Sequence, residues 1–120
     1  MNIIIGKQNL NGVDGKHIVL ELDTLHFLPV DQDVQAYCVV ENMPIQQLMQ
    51  AESMQELHRN LIIKYREREW TYCLSAMDHL VGFWGQELDT FYQSMRDRIQ
   101  VYQEQDPGAN WDWRIPKQVV

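Results

Sequence analysis

Within the first forty residues, two stretches alternate between hydrophobic and polar positions with a period of two, a pattern that is typical of strands. The β-branched run from Ile3 to Ile5 predicts a short first strand. Residues 18–22 alternate and predict a second strand, and the change of parity that follows indicates a bulge near Thr24. A further alternating stretch, residues 34–40, predicts a third strand.

The connections between these strands carry turn signals. Residues 9–15 include an Asn-Gly and an Asp-Gly dipeptide, which tolerate positive φ and mark a hairpin turn. A polar stretch from Pro29 to Asp33 separates the second strand from the third. Because hairpin turns join consecutive antiparallel strands, we predict a three-stranded antiparallel meander in a β-rich segment, residues 1–41.

The spacing of apolar residues changes to that of helices beyond residue 41. The Asn-Met-Pro sequence at 42–44 resembles a cap followed by a first-turn proline, which predicts a short helix ending near Gln50. Ser53 and Glu56 form a capping box, so a second helix is predicted to begin with Ser53 as its N-cap. Its apolar face comprises Met54, Leu57, Leu61, Ile62 and Tyr65.

Two more apolar faces follow within the helical segment, residues 42–106. Gly82 and Gly85 bracket the end of the first, and the Asp-Pro-Gly sequence at 106–108 stops the second. We predict an α+β fold in a single domain, residues 1–120, in which a small N-terminal antiparallel sheet of about three strands packs against three to four C-terminal helices and residues 107–120 form a tail. The two faces comprise Trp70, Cys73, Met77, Leu80, Val81 and Trp84, and Leu88, Phe91, Tyr92, Met95, Ile99 and Tyr102.

Composition and charge narrow the class of protein. The 120 residues are 45% hydrophobic and 22% charged, which fits one globular domain that folds without staples. No apolar run approaches the roughly 18 residues of a membrane helix, and the short N-terminal apolar run lacks a signal-peptide cleavage site, so we expect a cytoplasmic protein. The net charge of −7 argues against nucleic acid and anionic membranes and suits a basic or neutral partner.

The residues that usually carry chemistry form no recognised motif. The four histidines, His17, His26, His58 and His79, lack the spacings of helical metal sites. The sequence contains neither a glycine-rich phosphate loop nor a Gly-x-Ser-x-Gly elbow. We therefore predict no catalytic residue, no metal and no cofactor in a protein that is not an enzyme.

The two cysteines, Cys38 and Cys73, lie among apolar neighbours. Neither belongs to a C-x-x-C pair, and free cysteine is among the most buried residue types. We predict two core thiols, with a disulfide or a nucleophile as the alternative.

One basic cluster interrupts the helical pattern, and acidic residues interleave with it. Spacings of three residues predict the surface ion pairs Lys64–Glu67 and Arg66–Glu69. A solvated helix face is therefore the favoured interpretation, and a phosphate-backbone contact with Trp70 and Tyr72 as stacking partners is the alternative. The cluster comprises Arg59, Lys64, Arg66 and Arg68.

Two tryptophans, Trp111 and Trp113, stand in the otherwise polar tail. A tryptophan removes roughly 150–250 Å² from water when it is buried, so a polar tail seldom carries two without burying them. We expect one to dock on the chain's own core and leave open whether the other anchors a partner. The candidate partner-binding residues are Trp111, Trp113, Trp84 and Tyr92.

Residues 54–115 resemble a tetratricopeptide-like helical hairpin. Tyr65 stands where the first helix would close, residues 68–70 where the tight turn would lie, and Cys73 at a position usually held by alanine. The ending from Asp106 to Asp112 is similar to that of helical modules appended to some bacterial class III adenylate cyclases, although the cyclase domain itself is absent from this chain. The resemblance covers about one and a half repeats and implies a module that binds protein, either another chain or its own N-terminal sheet.

These observations favour a non-enzymatic protein-interaction or structural module. The first alternative is a small acidic inhibitor, such as an immunity protein or a phage-encoded counter-defence protein, and an enzyme with an unrecognised site is the second. An adaptor or oligomer is expected to bury Trp113 and the face from Leu88 to Tyr102 against another chain. An inhibitor is expected to bind through Asp31, Asp33 and Glu41, with strong salt dependence.

Overall fold

The α+β class predicted from the sequence is confirmed. The computed structural model describes residues 2–10, 17–40, 43 and 45–118. Within these ranges four strands form one sheet and three helices follow in the chain. The elements are β1 (Asn2–Ile5), a 3-10 turn (Lys7–Leu10), β2 (Ile18–Leu28), β3 (Gln32–Val40), α1 (Ile45–Arg66), α2 (Trp70–Leu80), α3 (Gln86–Glu104) and β4 (Ile115–Gln118).

The order of strands across the sheet is β1-β3-β2-β4, so the predicted meander is wrong. β1 pairs antiparallel with β3, Ile3 lying opposite Cys38, and it does not neighbour β2. Residues 6–17 separate β1 from β2, a connection longer than the two to five residues of a tight hairpin. That length allows β1 to reach the far side of β3. The predicted turn at 9–15 lies mostly outside the described residues.

The predicted bulge in β2 is confirmed. The register between β2 and β3 shifts between Glu21 and Thr24. The side-chain amide of Gln35 donates to the carbonyl of Leu22 at 2.7 Å and to that of Asp23 at 3.2 Å. A bulge leaves some backbone groups of the strand without a hydrogen-bond partner on the neighbouring strand. Gln35 supplies a donor to the carbonyls of Leu22 and Asp23 at this point.

α1 is one continuous helix of 22 residues, not two. Ser53 lies inside it, where its hydroxyl donates to the carbonyl of Gln50 at 3.1 Å, so Ser53 is not an N-cap. The sequence from Met49 to Glu52 holds no glycine or proline to break the helix. The predicted cap at 42 and 44 lies outside the described residues, and the described helices number three.

The core lies between the sheet and the helices and draws on both halves of the chain. Cys38 and Cys73 are free and fully buried, which confirms the prediction of two core thiols. The predicted face of α3 is confirmed as a core face, since Leu88 to Ile99 contribute five buried residues to it. α2 ends at Leu80, earlier than the apolar pattern suggested, and Gly82 follows with a φ of 87° that favours glycine.

The segment predicted as a tail completes the fold. β4 pairs in parallel with the second half of β2, Leu25 lying opposite Ile115, and this makes the sheet mixed instead of purely antiparallel. Trp111 packs against the core from the helical side. Residues 111–118 therefore join the sheet to the helices.

Candidate interaction surface

The buried histidine of the core, His58, is held by two hydrogen bonds. Its Nε2 lies 2.6 Å from the carbonyl oxygen of Glu21, and its Nδ1 lies 2.8 Å from the hydroxyl of Tyr92. A carbonyl only accepts, so Nε2 carries the proton and Nδ1 accepts from Tyr92. Burial lowers the pKa of His58 below its ordinary value of 6.5. Both ring nitrogens are satisfied, so His58 joins α1, β2 and α3 as a neutral structural residue.

Acidification is expected to weaken the fold through His58. The folded state resists protonation of the buried ring, whereas the unfolded chain takes up a proton near the ordinary value of 6.5. The contribution of His58 to the free energy of unfolding is therefore complete above that value and decreases as the pH falls below it. Denaturant titrations at about pH 7.5 and about pH 5.5 measure this loss, which we expect to be smaller in His58→Gln. Equal losses in both proteins would contradict the assignment.

A polar cluster fastens the C-terminal segment to the β2–β3 hairpin. The guanidinium of Arg114 donates to Asp33 at 2.9 Å and to Asp112 at 2.7 Å. Asp33 also lies 2.6 Å from Nδ1 of His26. Hydrogen bonds from His26 and Arg114 lower the pKa of Asp33 from its ordinary value of 3.8. Arg114 thus connects residues that are about 80 positions apart in the chain.

Removal of Arg114 is expected to loosen β4. In Arg114→Ala we expect the pKa of Asp33 to rise toward 3.8 and the amide protons of β4 to exchange faster with solvent. Lys117→Ala is the matched control, because Lys117 is an exposed cation on the same strand. NMR titration and hydrogen exchange measure the two effects. Equal exchange rates in the two variants would show that Arg114 does not hold the strand.

Trp111 docks on the chain's own helices, as predicted for one of the two tail tryptophans. Its ring lies 5.4 Å from that of Tyr65, 5.5 Å from that of Trp70 and 5.3 Å from that of Tyr102. The guanidinium of Arg68 lies 5.3 Å from the same ring. These contacts place Trp111 in a cluster of four aromatic rings at the junction of all three helices with the C-terminal segment.

The other three candidate partner-binding residues have different surroundings. Tyr92 is fully buried and Trp84 is 5% exposed, so the core already occupies the surface of both rings. The face from Leu88 to Tyr102 was expected to meet another chain in an adaptor or oligomer, but its residues as far as Ile99 are buried in the core and Tyr102 is partly buried against it. Trp113 is 36% exposed, and the guanidinium of Arg66 lies 5.6 Å from its ring centre. Of the four, Trp113 is the most exposed, whereas Trp111 is partly buried against the core.

The basic cluster is largely neutralised by the chain's own carboxylates. Lys64 pairs with Glu67 at 3.2 Å, as predicted. Arg66 pairs with Glu21 of β2 at 2.6 Å instead of with Glu69. Arg68 donates to the carbonyl of Gly108 and pairs with Asp106. Arg66 therefore joins α1 to the sheet, and Arg68 joins the turn after α1 to residues 106–108, whereas the Lys64 pair is local.

Three exposed apolar side chains lie close together at the start of α1, and they include the two most exposed large apolar residues among those that the structure describes. Ile45 is 81% exposed, Leu48 is 51% exposed and Met49 is 92% exposed. Spacings of three and four residues place them on adjacent turns of one side of the helix, and we call these three residues the α1 apolar stripe. The core residues of α1, which include Ala51, lie on the opposite side.

Two exposed carboxylates continue the stripe along the helix. Glu52 and Glu56 follow Ile45 by seven and eleven residues, so at 100° per residue they share its side of α1, and we call them the acidic pair. Neither carboxylate forms an ion pair among the described residues. The stretch from Ile45 to His58 contains no lysine or arginine. The surface therefore combines an apolar end with a negative continuation.

Sequence reasoning missed the α1 apolar stripe because it divided α1 at Ser53. In a single continuous helix, Ile45 and Met49 fall on the opposite side from Met54 and Leu61. Two apolar faces on opposite sides of one helix would have indicated that one of them is exposed. This is recognisable only when the two predicted helices are treated as one.

Other kinds of site find little support in the described ranges. Within them no group of three or more histidine, cysteine, aspartate or glutamate side chains is arranged to hold a metal ion. No helix in the described part of the chain is both long enough and apolar enough to cross a membrane. Searches of protein-family models, curated proteins and solved structures found no match for this chain.

Proposed function

We propose that this chain is a non-enzymatic protein-binding module and that the α1 apolar stripe is its contact surface. The observation that supports this most directly is the 92% exposure of Met49 beside Ile45 and Leu48. Burying a large aliphatic side chain or methionine is worth about 1.5–3 kcal/mol. The fold does not bury these three side chains, so a partner that covers them would gain this free energy on binding. Exposed apolar groups clustered on one helix side are typical of protein-binding sites.

The geometry of the stripe fits recognition of a helix by a groove. In that mode, apolar residues at positions i, i+3 and i+4 of one helix enter a hydrophobic groove of the partner. Ile45, Leu48 and Met49 have this spacing on a helix that the core holds in place through its other side. The contact surface is therefore formed before the partner arrives, which lowers the entropic cost of binding.

The inhibitor alternative receives less support, because two of the three acidic residues that were expected to bind its target already have partners within the chain. Asp33 contacts His26 and Arg114, and Asp31 contacts His26, so both take part in bonds within the chain. Glu41 lies outside the described residues. The tetratricopeptide-like resemblance is compatible with a protein-binding role and stays a prediction.

Photo-crosslinking at position 49 tests the proposal. A photoreactive residue replaces Met49 in the full chain, which is expressed in its native cells, and the matched control carries the same residue at Val101. Val101 is 57% exposed on α3, so it samples a different apolar surface position. We expect position 49, and not position 101, to give a covalent adduct with one protein. Absence of an adduct at 49, or the same adduct at both positions, would overturn the proposal.

Met49→Glu is expected to weaken capture of that protein at least about tenfold, because it places a charge where an apolar side chain is buried in the complex. The free energy of unfolding should change by less than about 0.5 kcal/mol, since the side chain is exposed in the free chain. Quantitative pull-down and denaturant titration measure the two quantities. Val101→Glu serves as the control and should leave capture unchanged.

A further inference from the structure

The acidic pair specifies what kind of surface the α1 apolar stripe meets. The outer side of α1 has apolar residues at its start, two carboxylates in its middle and then Arg59 and Ile63. Ile63 is 45% exposed and lies eighteen residues, or five full turns, after Ile45. The outer side is thus a continuous strip along the helix, and any partner that covers it must accommodate the carboxylates.

A second copy of the chain does not complement this strip. The midpoint between Ile45 and Ile63 is residue 54, so an antiparallel pair of strips brings Glu52 of each copy next to Glu56 of the other. A parallel pair places Glu52 opposite Glu52 and Glu56 opposite Glu56. Both arrangements gather four like charges in the contact, which is unfavourable.

Contact between the apolar ends alone avoids that repulsion but is small. It uses little more than one turn of each helix, from Ile45 to Met49. Stable protein interfaces bury about 800 Å² on each partner, or roughly 20–30 residues a side, whereas this contact offers three large side chains. Self-association along the whole strip therefore lacks charge complementarity, and self-association through the apolar ends alone lacks buried area.

We infer that the partner is a different protein whose surface carries an apolar groove bordered by lysine or arginine residues. This inference depends on the proposed function and adds the chemistry of the partner. The groove takes the α1 apolar stripe, and the basic border meets the acidic pair. The stretch from Ile45 to His58 contains no lysine or arginine that would repel a basic border. The net charge of −7 also favours a basic partner.

Charge reversal tests the inference on the protein captured by photo-crosslinking. Glu52→Lys and Glu56→Lys are introduced together, and the matched control reverses Glu87 and Glu104, which are exposed at the two ends of α3 and give the same change in net charge. We expect the α1 reversal to weaken binding at least about tenfold at low salt and less at high salt, while the α3 reversal changes affinity less than about twofold. Equal weakening by both pairs would show that only net charge matters and would overturn the inference.

A zero-length carbodiimide reaction provides the second readout. It joins carboxylates to lysine amines that touch them, so mass spectrometry should find Glu52 or Glu56 linked to a lysine of the captured protein. Adducts that link two copies of this chain through α1, or a captured protein that binds the α1 reversal as tightly as the native sequence, would overturn the inference. In either case the adduct at position 49 would stand, so the proposed function and the inference can fail separately.

Discussion

Trp111→Ala is expected to lower the free energy of unfolding by about 3 kcal/mol, the lower end of the range for removing an aromatic ring from a core, because Trp111 packs against the core but is only partly buried. The substitution deletes the ring that contacts Tyr65, Trp70 and Tyr102 and leaves a void between them. It also removes the surface on which the Arg68 guanidinium rests, 5.3 Å from the ring centre. Denaturant titration followed by circular dichroism measures the change.

Trp113→Ala is the matched control, because it removes the same side chain two residues away. Trp113 is 36% exposed, and the guanidinium of Arg66 lies 5.6 Å from its ring centre. An exposed cation–π contact is worth about 0.5–1 kcal/mol, and the covered part of the ring adds to it, so we expect a loss of about 1–2 kcal/mol, smaller than that of Trp111→Ala. Similar losses in the two variants would show that the Trp111 ring does not hold the C-terminal segment against the helices and that other contacts do.

Arg98→Met is expected to destabilise the fold by about 2–3 kcal/mol. Arg98 forms two hydrogen bonds to the carboxylate of Asp23, at 3.0 and 3.3 Å, and their side chains are only 20% and 21% exposed. Loss of one partner of a fully buried pair costs about 3–5 kcal/mol, and partial exposure of Asp23 reduces that figure. Methionine keeps the length of the side chain, so the effect reports on charge and hydrogen bonding more than on packing.

Arg96→Met supplies the comparison two residues earlier on α3. Arg96 pairs with Asp78 at 3.0 Å, but the side chains are 30% and 68% exposed. A pair of that kind is worth about 0–1 kcal/mol. We expect urea titrations to separate the two variants clearly, and a loss in Arg96→Met as large as that in Arg98→Met would contradict the role given to the Asp23 pair.

Local sequence patterns predicted the elements whose register and burial depend on near neighbours. The parity change at Thr24 located the bulge, because alternation along one strand records which side faces the core. The spacing from Leu88 to Ile99 identified the core face of α3, since that face has a period of 3.6 residues. The burial of Cys38 and Cys73 was also predicted correctly, because both lie among apolar neighbours in the sequence.

Features that depend on distant residues were not predictable in this way. β1 pairs with β3 and β4 pairs with β2, and no local pattern states which edge a four-residue strand joins. The Ser53 capping box matched a helix start, but the strong helix formers before it, which include Ala51 and Glu52, allow the helix to continue. The α1 apolar stripe was overlooked as a consequence, because its exposure is visible only in the continuous helix.

The position of β4 after all three helices has a consequence for biosynthesis. Leu25 and Ile115 are partners in the sheet, yet the ribosome makes all three helices between them. The aromatic cluster is likewise incomplete until Trp111 has been synthesised. A nascent chain whose residues beyond 110 are still inside the exit tunnel therefore has an open edge on β2, and its Tyr65 and Trp70 rings lack their contacts with Trp111. The sheet and the ring cluster can be completed only after residues 111–118 have emerged from the ribosome. Contacts between residues so far apart in the sequence slow folding.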